Sequence, residues 1–261
     1  VILAAILALS IGLSLGMLGG GGSILTVPIL VHALGVEERT AMASSLVVSA
    51  ITSLVALVRP ARAKQVAWRT GLLFAASGMV GSFLGGRLSH SVPKRALVVL
   101  FVSMMVATSF AMLRGRKEPT TPTILQPSKV LATGVVVGSL TGLVGAGGGF
   151  VIVPALALVG GLPMRTAVGT SLFVIALQSA TGFIGHAANV TIDLRLIGTV
   201  TASASLGAIA GGHLGARINQ DQLRRGFGVF VLAVAAYMGW KELSRPNAES
   251  SSRVAATSTR T

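Results

Sequence analysis

Apolar residues along this chain fall into long runs separated by short charged stretches. Uninterrupted runs occupy 41–58, 70–88 and 96–113 in the first half, and 166–185, 196–214 and 226–240 in the second. Each half opens on a longer apolar segment, 1–34 and 130–160, that is interrupted by glycines. Runs of this length cross a bilayer as α-helices. The pattern predicts an all-α polytopic membrane protein of about eight transmembrane segments. These divide into a first repeat at 1–113, an interrepeat linker at 114–128, a second repeat at 129–243 and a disordered polar tail at 244–261. The linker reads RGRKEPTTPTILQPS, rich in proline and threonine, and the tail is small and polar. The opening VILAAILALSIGLSLG has the character of a signal-peptide core, but it runs straight into glycines and has a counterpart at Val130–Leu140, so it reads as a retained helix.

Composition agrees with this pattern. Charged residues are 11% of the chain and mean hydropathy is +0.81, whereas a soluble domain is about one quarter charged. The net charge of +14 raises nucleic acid as a partner. The basic residues lie between apolar runs, however: Arg59, Arg62, Lys64 and Arg69; Arg87, Lys94 and Arg95; Arg114, Arg116 and Lys117. That placement orients a membrane protein, so the lipid bilayer is the expected partner and nucleic acid is not. With no cysteine, neither a disulfide nor a thiolate metal site is available.

The halves are copies. Residues 16–46 recur at 142–172 without a gap, an offset of 126, and 13 of the 31 aligned positions are identical. The matches include Gly16/Gly142, Gly19/Gly145, Gly21/Gly147, Gly22/Gly148, Pro28/Pro154, Gly35/Gly161, Arg39/Arg165, Thr40/Thr166 and Ser45/Ser171. Farther on, Gly81, Gly85 and Gly86 align with Gly207, Gly211 and Gly212. Small residues four apart let helix backbones approach closely in lipid; the alternative is a face that lines a ligand path. A duplicated chain with a glycine-broken apolar segment in each half is the pattern of a secondary transporter whose site lies between the repeats. Loop charge leaves the relative orientation of the halves open.

Irregular backbone inside a membrane must be buried or line a cavity, and N–H groups freed at half-helix ends attract anions. The candidate substrate-binding residues are therefore Gly19, Gly20, Gly21 and Gly22 with Gly145, Gly147, Gly148 and Gly149, and Pro28 and Pro154 are structural kinks. Arg39 and Thr40, with Ser44 and Ser45, and Arg165 and Thr166, with Thr170 and Ser171, offer guanidinium forks and hydroxyls to an oxyanion. The competing reading makes the glycines tight turns and each Arg an interfacial residue that caps carbonyls. Gly142-Leu-Val-Gly145-Ala-Gly147 is a weak match to a nucleotide loop and lacks its context. The seven carboxylates all lie in loops or at segment ends, so no acidic proton relay is visible. Proton coupling would draw on His32, His90, His186 or His213, or on the substrate itself. Gln178 and Asn189 are candidates for hydrogen bonding between helices. No catalytic set, metal site or cofactor motif is present, which argues against an enzyme.

Gly16-x-x-Gly19-Gly20-Gly21-Gly22-x-x-x-x-Val27-Pro28 and Gly142-x-x-Gly145-Ala146-Gly147-Gly148-Gly149-x-x-x-Val153-Pro154 are each followed by Arg-Thr-Ala and Ser-Leu. In these motifs the chain resembles the TauE/SafE sulfite-exporter-like permeases over nearly its whole length. The resemblance implies a multi-pass protein of the bacterial-type inner (cell) membrane that moves sulfite, sulfonates or related organosulfur anions. The resulting expectation is a permease for a small anionic substrate, working by alternating access with a proton or sodium as coupling ion. The alternatives are a passive anion channel and a non-transporting anchor or assembly subunit. Cargo, direction and oligomeric state are not specified. Val36-Glu37-Glu38 before Arg39 differs from Leu162-Pro163-Met164 before Arg165, so the halves need not bind alike.

Overall fold

The computed structural model describes residues 2–20, 26, 30, 35, 37–89, 92–114, 127–144, 149–186 and 193–243. These are mostly helical, with no strand among them. The elements are α1 (Ile2–Leu18), α2 (Glu38–Arg62), α3 (Trp68–Ser89), α4 (Lys94–Arg114), α5 (Pro127–Val144), α6 (Gly149–Pro154), α7 (Met164–His186), α8 (Leu194–Arg217) and α9 (Gln220–Leu243). A π-helical turn, Ala155–Val159, continues α6. Pro154 has no N–H to give the ladder, and the winding widens directly after it, with Gly160 N–H bonding to the Ala155 carbonyl at 2.8 Å. Gly35 and Gly161, 126 residues apart, both hold positive φ (66° and 61°) ahead of α2 and α7. α8 is started by Asp193, whose carboxylate accepts from Arg195 N–H and Leu196 N–H.

Two helices among the described residues are long and apolar enough to cross a membrane: Thr40–Arg62 in α2, at a mean hydropathy of 2.1, and Met164–Ile184 in α7, at 1.6. The core is apolar, and so is much of the exterior. The buried polar side chains are serines and threonines, while Leu54, Val80, Phe83, Leu88, Ile184 and Leu206 stand exposed. Trp68, Tyr237 and Trp240 are exposed near helix ends, and Arg87 and Arg114 lie over Phe83 and Phe110 at 4.6 and 4.3 Å from ring centroid. An apolar exterior edged by aromatic and basic residues matches the two zones of a bilayer.

Contacts fix the helix directions. On α1, Gly12 lies against Ala204 of α8 and Gly16 against Ala208, so the two run parallel. On α5, Gly138 lies against Gly78 of α3 and Gly142 against Ser82, again parallel. A Cβ at any of these four glycines would overlap the facing backbone carbonyl. The return face is as tight: Gly207 meets Leu9 and Leu13, and Gly81 meets Val135 and Ser139. Every one of these contacts has its partner at an offset of 126. The aligned glycines thus act in close backbone packing, and they do so across halves, with the opening helix of each half lying along the third long helix of the other.

α2 and α7 are antiparallel, since Gly182 meets Leu46 near one end and Gly169 meets Pro60 and Gln65 near the other. α4 and α9 are also antiparallel: Ser109 Oγ donates to the Gly228 carbonyl, and Gly239 lies beside Val102. Helices at matching positions of the two halves therefore point in opposite directions. The α5–α6 segment turns back on itself, because the start of α5 (Lys129, Val130, Thr133) and the end of α6 (Leu156, Val159, Gly160) share a small cleft with Thr70 and Phe74. The described parts of the second glycine-broken segment thus run in opposite directions.

Candidate functional site

The two glycine breaks come together. Gly20, just past α1, is so close to Gly149, the first residue of α6, that a Cβ on Gly20 would overlap the Gly149 carbonyl. Gly19 has φ +76°, a left-handed conformation that ends α1 and is costly for any residue with a Cβ. Its carbonyl accepts from Ser171 Oγ at 2.8 Å, and the same hydroxyl also lies 2.8 Å from the Val168 carbonyl of its own helix. A break in the first half is therefore held by a hydroxyl of the second half. Ser45, the sequence counterpart of Ser171, makes the matching in-helix bond to Met42 at 2.7 Å. Ser44, Ser45, Thr170 and Ser171 are all buried.

Several predicted residues are occupied structurally. Thr170 Oγ1 accepts from Ala67 N–H at 3.0 Å and pins the 63–67 loop to α7, while Gly169 leaves room for the Gln65 carbonyl. Arg165 donates through Nη2 to the carbonyls of Ala216 (3.2 Å) and Ile218 (3.1 Å), at the C-terminal end of α8. Its Nε is buried with no hydrogen-bond partner. The carbonyl-capping reading of this arginine is thus realised, with one N–H left over. Arg59, which sequence placed in a charged loop, belongs to α2 and donates to the Gly212 carbonyl of α8. Cations at the negative end of a helix dipole are favourably placed, and two converge on α8. Thr166 is half-buried within α7, and Thr40 half-buried within α2. Pro154 lies at the join of α6 and the π-helical turn.

Gly21, Gly22, Pro28, Gly145, Gly147 and Gly148 lie outside the described residues, as do the side chain of Arg39, His32, His90, the side chain of His186, and Asn189. His213 is exposed and its Nδ1 lies 2.8 Å from the Ile209 carbonyl one turn back. Among the described residues, no group of three or more His, Asp or Glu residues could hold a metal ion. Sequence reading passed over the hydroxyls deeper in α2: Ser49, Thr52 and Ser53 are buried, as are Ser179 on α7 and Thr201 on α8. They continue the line begun at Ser44 and Ser45. The offset that paired the glycines would also have paired Ser53 with Ser179.

The family model described as "Sulfite exporter TauE/SafE" matches residues 4–238. A "Probable membrane transporter protein" of Xylella fastidiosa (strain 9a5c) is 33% identical over 245 residues, covering 88% of this chain and 92% of the relative. "Probable membrane transporter protein YunE" of Bacillus subtilis (strain 168) is 30% identical over 247 residues, with 84% and 88% covered. A relative of the same description from Methanocaldococcus jannaschii is 29% identical over 256 residues, with 89% and 93% covered. The match takes in both halves and both glycine breaks, and the chain belongs to the sulfite exporter TauE/SafE family.

Proposed function

We propose that this protein is a secondary transporter of the cell membrane that moves a small oxyanion, sulfite or an organosulfur anion such as a sulfonate, by alternating access between two inverted repeats. The observation that carries the reading is the meeting of the glycine breaks, Gly20 of one half against Gly149 of the other. Inverted-repeat transporters place their site where interrupted helices of the two repeats converge. The antiparallel course of matching helices fits that plan, and the family's name makes sulfite the cargo to test first. The tight Gly20–Gly149 contact supports an occluding junction over a continuously open channel.

In this scheme the anion docks where the Gly19–Gly20 and Gly149 breaks meet, and Ser45 and Ser171 turn their hydroxyls towards it from the Met42 and Val168 carbonyls they bond in this structure. Arg39 and Arg165 provide positive charge at opposite ends of the bundle. For Arg165, release from the Ala216 and Ile218 carbonyls would free guanidinium donors as α8 shifts. The direct test is flux of labelled sulfite and a small sulfonate into proteoliposomes under imposed proton or sodium gradients, with the parent protein, Arg39→Ala and Arg165→Ala compared. Saturable, gradient-dependent flux reduced about tenfold or more in the variants is expected, the effect of removing a charged partner of a bound anion. Flux no greater than in empty liposomes would remove these cargoes.

A further inference from the structure

Hydroxyls inside apolar helices ordinarily return their proton to a carbonyl three or four residues back. In this molecule Ser10, Ser77, Ser103, Thr108, Thr133, Thr181 and Thr199 do so. Thr52 Oγ1 and Ser53 Oγ, on the more apolar of the two membrane-length helices, make no hydrogen bond, although the residues are 1% and 0% exposed. Thr201 Oγ1, on α8, is likewise buried and unpartnered. Val48 and Val200, in the same apolar cluster, put Thr201 within about one turn of Thr52's level.

These residues are not scattered. The antiparallel α2–α7 contact runs from Leu46 beside Gly182 to Pro60 beside Gly169. Thr52 and Ser53 lie near its midpoint on α2. Gln178 and Ser179, at the same offset of 126, lie within about one turn of its midpoint on α7. Each half therefore contributes a neighbouring pair of neutral polar residues to the middle of the helix pair that relates the halves. Gln178 turns its amide to α3, where a Cβ on Gly78 would lie 2.5 Å from its Nε2, which leaves Ser179, 5% exposed, as the α7 residue of the pair that can face the centre.

From this placement we infer that Thr52, Ser53 and Ser179, with Thr201, form a central station that binds the permeating oxyanion through neutral O–H donors. The inference rests on the transport reading above and adds to it the residues that hold the anion midway. Unpaired donors buried in a low-dielectric interior are complementary to a desolvated anion. A guanidinium at the same depth would hold the anion too tightly for release, because transit requires a site that the ion can leave. The described residues of α2 and α7 carry no carboxylate between Thr40 and Gly185 that would recommend a cation instead.

The natural absence of cysteine makes the test direct. Ser53→Cys, Ser179→Cys and, as control, Leu54→Cys, whose side chain is 54% exposed on the apolar exterior, are reconstituted as full-length protein and treated with a charged water-soluble methanethiosulfonate. Thiolate forms only where water or polar groups reach, so both station cysteines should react about tenfold or more faster than the control. Methanesulfonate or sulfate, neither of which consumes the reagent, should slow that reaction about threefold or more by mass action, with sodium chloride without effect. A second variant, Thr52→Val with Ser53→Ala, should keep or raise the melting temperature, because the hydroxyls lost have no partner. It should also require about tenfold more anion for the same protection of Ser179→Cys.

Unreactive station cysteines, protection by sodium alone, or a melting temperature that falls with protection unchanged would each overturn the station. Absence of sulfite flux with labelling and anion protection intact would remove sulfite as cargo and leave the station standing. Sulfite flux with both cysteines unreactive would do the reverse.

Discussion

Ser171 illustrates how much a single side chain decides. Its hydroxyl lies within hydrogen-bond reach of its own helix and of the Gly19 carbonyl, freed at the end of α1, and so ties the break in one half to a helix of the other. Ser171→Ala is expected to cost about 1 kcal/mol, read as a lower unfolding midpoint in detergent. Gly20→Ala should do far more damage, because the methyl group has only the Gly149 backbone to enter; loss of transport together with a lowered midpoint is expected. Gly198→Ala, on an open stretch of α8 with nothing within 4 Å, should leave both unchanged. At this scale sequence was informative where chemistry is unusual. Duplicated glycines and hydroxyls marked the place where the halves meet. Arg165 could be read either as an anion ligand or as a carbonyl cap, because a guanidinium serves both and only coordinates show the Ala216 and Ile218 carbonyls beside it. Thr52 and Ser53 escaped notice since serine and threonine in an apolar helix are unremarkable until they fail to bond back.

Among elements, the tight pairings α1 with α8 and α3 with α5 follow one rule: a glycine on one backbone admits the carbonyl of the other. Gly12→Leu and Gly138→Leu, equivalent by the offset of 126, should therefore destabilise to similar degrees, roughly 1–3 kcal/mol each by overpacking. Thermal unfolding of the two variants side by side checks this; markedly unequal losses would count against equivalent packing. The α8 N-cap gives a smaller effect: Asp193→Ala should cost about 1 kcal/mol. The long helices were legible from apolar run length, and the breaks from glycine. Which helices pair was not, because apolar residues in lipid carry no preference for one another and the choice rests on backbone fit between segments more than a hundred residues apart. The π-helical turn after Pro154 was also beyond reading, since proline predicts a lost hydrogen bond but not how the chain rewinds.

Across the whole molecule, helix directions sort charge between the two ends. Arg59, Arg62, Lys64, Arg69, Arg114, Lys129, Arg165, Arg217, Arg224 and Arg225 gather at the end that holds the 63–67 loop, with Asp221 among them. At the other end Arg39, Arg87, Lys94, Arg95, Arg195 and Lys241 are offset by Glu37, Glu38, Asp193 and Glu242. If the rule that retains lysine and arginine inside holds for this chain, the first end faces the cytoplasm. Lys64→Cys should then be labelled by an impermeant thiol reagent only after the membrane is opened, and Glu37→Cys in intact cells; the opposite result would invert the orientation. Loop charge alone had pointed both ways, because Arg87, Lys94 and Arg95 follow α3 to the far end and only helix direction shows it.

The reciprocal packing of opening helices bears on whether either half can stand alone. With its opening helix laid along the other half's third long helix, a single half would leave its own glycine ridge uncovered until an oppositely oriented half lay beside it. Two halves exchanging arms are thus the smallest unit that closes this packing, and separately expressed halves of the chain should accumulate only when made together.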